Sequence, residues 1–170
     1  VDEKIDISPL FETEKGLSTG HEVISSLLKN VHYKKYVIKR KKLSIQTGFS
    51  DAGRYLGQSA AVLSIENLQR KIAKILSDNN LPNVKLLIFN THGESIGRGG
   101  HPVSLLDRLS YVNCPFTRKK LREWNINLVQ EISFQGGDGY QYFMNHDLAF
   151  ASIARILDFC FNNNDLETND

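Results

Sequence analysis

Hydrophobic positions along this chain recur in two rhythms, a period of two over short stretches and a spacing of three and four over longer ones. Residues 4–8 (KIDIS) alternate in the first rhythm and end at Pro9, which predicts a strand. Thr19 followed three residues later by Glu22 has the form of a capping box. The helix it predicts puts Val23, Ile24, Leu27 and Leu28 on one face. A basic helical stretch running to Val37 leads to a second strand at 43–47 (LSIQT). After Gly48-Phe49-Ser50-Asp51 the spacing predicts the longest helix, over 52–77. Leu68, Ile72, Ile75 and Leu76 form its stripe, and Asn79, Asn80 and Pro82 its stop. Residues 84–90 (VKLLIFN) are an almost unbroken apolar run, as expected of a strand covered on both faces. Glycines and a proline occupy 93–102. Short helices are expected at 103–109 and 117–124, a fourth strand at 128–134, and then a Gly136-Gly137-Asp138-Gly139 turn. A last helix at 147–161 gives way to a polar tail, 162–170, expected to fray.

Strands alternating with helices specify parallel βα units, so the chain reads as an α/β protein with residues 1–161 as its domain. Four strands are too few to close an eight-stranded barrel, which leaves a small open sheet or part of a barrel. The 170 residues are one domain's worth. A composition of 41% hydrophobic and 24% charged residues is ordinary for a globular chain. The net charge of +2 is too small to argue for nucleic acid or an anionic membrane. The runs His32-Tyr33-Lys34-Lys35 and Lys39-Arg40-Lys41-Lys42 read as a solvated helix face and its exit loop rather than a polyanion site. Cys114 and Cys160 follow no CxxC pattern, which fits a reduced, cytoplasmic protein. No apolar run approaches the roughly 20 residues of a membrane span. The first residue is Val1 and not Met, which points to a processed or excised chain.

In parallel α/β proteins ligands gather at the C-terminal ends of the strands, and three suggestive segments fall at three successive strand ends. Glu12 follows the first strand and Asp51 the second. Two carboxylates completed by waters and a substrate oxygen make a magnesium or manganese site. Equally, Glu12 would start a helix and Asp51 would cap one, and spacing alone does not choose between these readings. The third segment is Thr91-His92-Gly93-Glu94-Ser95-Ile96-Gly97-Arg98-Gly99-Gly100-His101-Pro102. Its glycines let backbone amides approach an anion, Arg98 can grip phosphate or carboxylate through paired bonds, and His92 can donate to a phosphate oxygen or move a proton. A tight structural turn would account for the glycines but poorly for the His, Glu and Arg among them. The segment lacks the GK[ST] ending of a Walker loop and the GxGxxG of a dinucleotide loop. His101 would face substrate or stabilise the loop, and Gln135 ends the fourth strand at the same mouth. His21, His32 and His146 have no ligand-like spacing, and Asp138 reads as a turn residue.

Taken in order, these segments resemble the phosphoenolpyruvate carboxylase family over nearly the whole chain. Pro9-Leu10-Phe11-Glu12-Thr13 looks like its PLFET strand, and Phe49-Ser50-Asp51 resembles its YSDS segment. His92-Gly93 with 95–102 resembles its HGRGGSxGRGGxP loop, and Gln135-Gly136 lies near its EQGE. The resemblance implies a fragment of a TIM-like, helix-rich α/β barrel from a homo-oligomer, usually a tetramer. It implies conversion of phosphoenolpyruvate and bicarbonate to oxaloacetate and phosphate with Mg2+ or Mn2+. In that chemistry bicarbonate attacks the phosphoryl group to give carboxyphosphate and an enolate. The implied metal ligands are Glu12 and Asp51. His92 and Arg98 would hold phosphate and developing charge, with Ser95, Gly97, Gly99, Gly100 and Gln135 lining the substrate.

The departures from the family pattern are local. Where the family reads HGRGGS this chain reads His92-Gly93-Glu94-Ser95, so an acid replaces the first loop arginine. Arg54 stands where the family has a lysine after SDS and would restore part of the positive charge. Phe134 and Gly137 replace the acids around the family's QG. The family's upstream histidine and downstream arginine segments lie outside this chain. These changes imply that the isolated chain turns over no substrate and self-associates through open edges. They also leave room for a relative with another phosphorylated or carboxylated substrate, or for a non-catalytic one.

Overall fold

Pro9 sets where the first strand begins. Its carbonyl accepts the N–H of Gln46 at 2.8 Å, and the ladder proper is β1, Leu10–Phe11, paired parallel to β2, Lys42–Gly48. The strand expected at 4–8 is therefore displaced toward the C-terminus. Its apolar positions Ile5 and Ile7 are 63% and 45% exposed, so no core holds them in a ladder, whereas Phe11 is buried. The computed structural model describes residues 5–81, 83–97, 104–133 and 145–162, in two compact units, Val1–Gln135 and Gly136–Asp170.

In the first unit α1 spans Glu14–Lys29 and starts six residues before the expected capping box. Thr13 is the N-cap, its hydroxyl accepting from the Gly16 N–H at 3.1 Å. Thr19 sits mid-helix and donates instead to the Lys15 carbonyl. The stripe is Leu17, Ile24 and Leu28, with Val23 exposed. Asn30 ends α1 and opens α2, Val31–Arg40, its Oδ1 accepting from His32 and Tyr33. The single long helix expected after β2 is two, α3 at Phe49–Leu56 and α4 at Gln58–Asp78. Gly57 between them has φ 81°, a conformation outside any right-handed helix and one that glycine adopts freely.

After α4 come β3, Lys85–Thr91, a short 3-10 turn, Gly93–Ser95, then α5, Leu105–Val112, α6, Pro115–Glu123, and β4, Leu128–Ile132. Among the described residues the sheet has four parallel strands in the order β1-β2-β3-β4. That sequential order, without reversal, is what right-handed crossovers give when each strand is added on the same side.

Register shows how the sheet is covered. Leu43, Ile45 and Thr47 align with Leu86, Ile88 and Asn90, and all six are buried. Leu43, Ile45, Leu86 and Ile88 share one core with Leu17 and Ile24 of α1 and Ile65, Leu68, Ile72 and Leu76 of α4. On the other face Ser44, Leu87 and Val129 form one rung and Gln46, Phe89 and Glu131 another, all half-buried except exposed Glu131. Among the described residues β3 is thus fully buried on one face and half-buried on the other, where its apolar run had suggested cover on both. A fully buried Leu or Ile contributes about 1.5–3 kcal/mol, against at most about 1 kcal/mol for an exposed pair such as Lys74–Asp78. The helix-covered face therefore dominates stability.

The second unit is described through α7, His146–Asn162. Asn145 caps it, its Oδ1 accepting from the Asp147 and Leu148 N–H groups at 3.1 and 3.2 Å. Among the described residues no helix is long and apolar enough to cross a membrane.

Candidate active site at the strand ends

The C-terminal ends of β1, β2 and β3 lie side by side through the ladder and carry Glu12, Asp51 and His92. Glu12 follows β1 and leans over Gly48, the last residue of β2. A Cβ placed on Gly48 would come within 2.5 Å of Glu12 Oε2 and 2.6 Å of Glu12 Cβ. The space a side chain would need is filled by this carboxylate.

Gly48 is also the N-cap of α3, which puts Asp51 in the first helical turn. There the partial positive charge of the helix terminus favours a carboxylate. Asp51 does not cap the helix, which was one of the two readings its sequence context left open. Arg54 Nη1 lies 3.3 Å from Asp51 Oδ1, and its Nη2 donates to Ser50 Oγ at 3.1 Å. With Arg54 at 64% exposure, that pair is a weak surface bridge.

Among the described residues no three His, Cys, Asp or Glu side chains converge as a metal cluster. Glu12 and Asp51 offer hard oxygen donors on adjacent strand ends. They fit a magnesium-like ion that keeps waters and takes substrate oxygens for its remaining positions.

His92 closes β3 in the left-handed region, φ 56° and ψ 59°, which costs a non-glycine residue roughly 1–2 kcal/mol. It is held there from the residue that follows β4. Ser133 Oγ accepts the His92 N–H at 3.4 Å, and the Ser133 carbonyl accepts the Gly93 N–H at 2.6 Å. Ser95 is 1% exposed inside the turn, its N–H donating to the His92 carbonyl. Gly97 has φ 65°. Arg98, Gly99, Gly100, His101 and Gln135 lie outside the described residues.

Beneath the strand ends runs a chain of amides, buried except for half-buried Gln130, that the sequence reading missed. Thr47 Oγ1 donates to Asn90 Oδ1 at 2.9 Å, and Asn90 Nδ2 donates to Gln130 Oε1 at 2.9 Å and the Glu131 carbonyl at 3.2 Å. Gln130 Nε2 then donates to Asn113 Oδ1 at 2.6 Å, and Asn113 Nδ2 to Gln69 Oε1 at 2.9 Å. It ties β2, β3, β4 and α4 together directly below the residues that would bind ligand. One sequence signal pointed to it: Asn90 continues the buried alternation of Leu86 and Ile88, where a polar residue must find partners. Arg108 of α5, 9% exposed, was also missed. Its Nη1 donates to the carbonyls of Gly93 at 3.0 Å and Ile96 at 3.3 Å.

A family model described as phosphoenolpyruvate carboxylase matches residues 1–105, a span that contains Glu12, Asp51, His92 and Arg98. The chain is 32% identical over 101 residues to phosphoenolpyruvate carboxylase 2 of Chlamydomonas reinhardtii, covering 58% of this chain and 8% of that protein. It is 33% identical over 100 residues to the phosphoenolpyruvate carboxylase of Hahella chejuensis, covering 59% of this chain and 11% of that protein. With the Corynebacterium glutamicum protein of the same name it shares 28% over 99 residues, 58% of this chain and 10% of that one. The chain therefore spans about a tenth of the length of these curated relatives.

Proposed function

This chain belongs to the phosphoenolpyruvate carboxylase family, and from that premise we propose that the longer protein it represents carboxylates phosphoenolpyruvate with bicarbonate, yielding oxaloacetate and phosphate. The observation that carries the reading is the Glu12 carboxylate seated over Gly48 at the start of the helix bearing Asp51. A glycine that leaves room for an acid, beside a second acid in a helix's first turn, suits a Mg2+ or Mn2+ site.

Glu12 and Asp51 would hold the ion. Bound there, it would supply Lewis-acid stabilisation of negative charge on a substrate oxygen. His92, its backbone N–H held by Ser133, stands just past β3 at the same end of the sheet, where its imidazole would donate to the phosphoryl group. Arg98 and the glycines after it would hold the remaining phosphate oxygens. Arg54 would neutralise Asp51 in the absence of a cation and turn to substrate when one is bound. The sequential strand order and the single helix-covered face support reading the sheet as consecutive strands of an eight-stranded barrel. The half-buried face would then be the barrel interior. On this reading the isolated chain lacks the rest of the site and is inactive, and the parent is a cytoplasmic homo-oligomer.

A second reading rests on Glu94. This acid stands in the turn after His92 where the resemblance calls for arginine, and it favours a substrate with less negative charge than carboxyphosphate. The two readings part in one experiment on the full-length protein, which measures bicarbonate-dependent phosphate release and manganese binding in wild type and in Glu12→Gln and Asp51→Asn. Phosphate release from phosphoenolpyruvate, lost together with manganese affinity in both variants, is the expected result. Manganese binding without turnover of phosphoenolpyruvate selects the changed substrate. Equal, negligible manganese binding in all three proteins overturns both.

A further inference from the structure

Arg108 is an arginine withdrawn from solvent, and among the groups it meets are two carbonyls of a single turn, those of Gly93 and Ile96. A guanidinium taken out of water costs several kcal/mol unless its donors are met, so this arrangement ties the geometry of the turn to the place of the arginine. The same Gly93 carbonyl accepts the Ile96 N–H at 3.1 Å, which closes the 3-10 turn. The arginine itself is anchored at its root. It stands one residue past the α5 capping box, in which Ser104 Oγ accepts from the Asp107 N–H and the Ser104 N–H donates to Asp107 Oδ2.

The turn carries strain at its first residue, the left-handed His92. Such strain persists only where surrounding contacts over-determine it. Ser133, the residue after β4, supplies one set of contacts and Arg108 of α5 a second.

We infer that Arg108 is a positioning residue. It clasps the turn after β3 to the start of α5, and so fixes the direction in which His92 leaves the sheet toward an anionic substrate. The inference rests on the proposed role of His92, because a turn with no ligand to meet would need no such clasp. It assigns no ligand contact to Arg108 itself.

The test has two arms, with Arg108→Lys keeping the charge and Arg108→Met keeping most of the length without it. In the 170-residue chain, amide hydrogen exchange is followed residue by residue. Arg108→Met is expected to speed exchange at Gly93 and Ile96 by about 10-fold or more, with Ile45 and Thr47 of β2 changing by less than about 2-fold and Arg108→Lys falling between. Exchange unchanged at Gly93 and Ile96, or accelerated equally through β2, overturns the inference. In the full-length protein, Arg108→Met is expected to lower kcat about 10-fold with manganese affinity unchanged, and Arg108→Lys to recover part of it. A kcat within 2-fold of wild type in Arg108→Met also overturns it. If the wild-type protein itself releases no phosphate, the reaction proposed above fails, and the exchange arm still decides whether Arg108 sets the turn.

Discussion

Replacing Gly48 by alanine tests the site through a single methyl group. At φ −101° the backbone of residue 48 accepts alanine without strain, and removing a glycine under those conditions stabilises a protein by about 0.4–1 kcal/mol through the unfolded chain. The new Cβ, however, would stand 2.6 Å from Glu12 Cβ and 2.5 Å from Glu12 Oε2. The carboxylate oxygen is the end of a flexible side chain and can swing away. The Glu12 Cβ is fixed to its backbone and cannot do so without moving the end of β1. Overpacking of this kind costs roughly 1–3 kcal/mol, so the net effect is a loss of about 1–2 kcal/mol. At about 2–4 °C per kcal/mol for a chain of this size, Tm should fall by several degrees. Manganese affinity should fall further than stability does, because the carboxylate is driven from its seat. Thermal and urea unfolding of the 170-residue chain and a manganese titration of the full-length protein measure the two effects. Adding Glu12→Gly removes both contacted atoms, so the stability cost of Gly48→Ala should largely vanish in that background. Gly48→Ala with unchanged Tm and unchanged manganese affinity would refute the placement of Glu12.

Three further outcomes follow from the packing. Asn90→Leu strands Thr47 Oγ1 and Gln130 Oε1 in the interior and should cost about 2–4 kcal/mol in urea unfolding; a loss under about 1 kcal/mol would show the amide chain to be dispensable. Asn30→Ala removes the oxygen that accepts from His32 and Tyr33 and should cost about 1 kcal/mol, read as a fall in the urea midpoint. Burial alone would raise the Glu66 carboxyl, but hydrogen bonds from the Cys114 and Thr117 side chains and the Cys114 N–H, with Arg70 nearby, hold it below the ordinary 4.5. A depressed carboxyl contributes stability that is complete above 4.5 and is lost as pH falls through the lower folded value. Glu66→Gln should therefore lower stability at neutral pH and change it less near pH 3, which flattens the acid side of the profile, measured as urea midpoints from about pH 3 to 7.

Much of this architecture is legible in the sequence, for physical reasons. β2, β3, β4 and the helices between them follow apolar periodicity, since burial on one side of a strand or helix is what the period records. The first strand was misplaced because KIDIS alternates without a core to bury it, and pattern cannot register the absence of a covering face. The start of α1 was missed because Thr13 caps as well as Thr19 would, and the choice between them is made by Phe11 and Leu17 reaching the core. One φ value at Gly57 split the long helix. At the site, Glu12, Asp51 and His92 were visible as chemistry at strand ends. Arg108 was not, because the Gly93 and Ile96 groups it holds are backbone carbonyls, which leave no mark on side-chain patterns.

The order of the strands has a consequence for biosynthesis. Leu43 pairs with Leu86, and Leu86 with Leu128, so every rung waits for a partner about forty residues downstream, or roughly 2–8 s at ordinary rates of translation. In that interval β2 has no strand on its β3 side, but α4 has already emerged to shield Leu43 and Ile45. Each helix thus serves as a chaperone in cis for the strand before it, and the sheet is laid down plank by plank in the direction the ribosome reads.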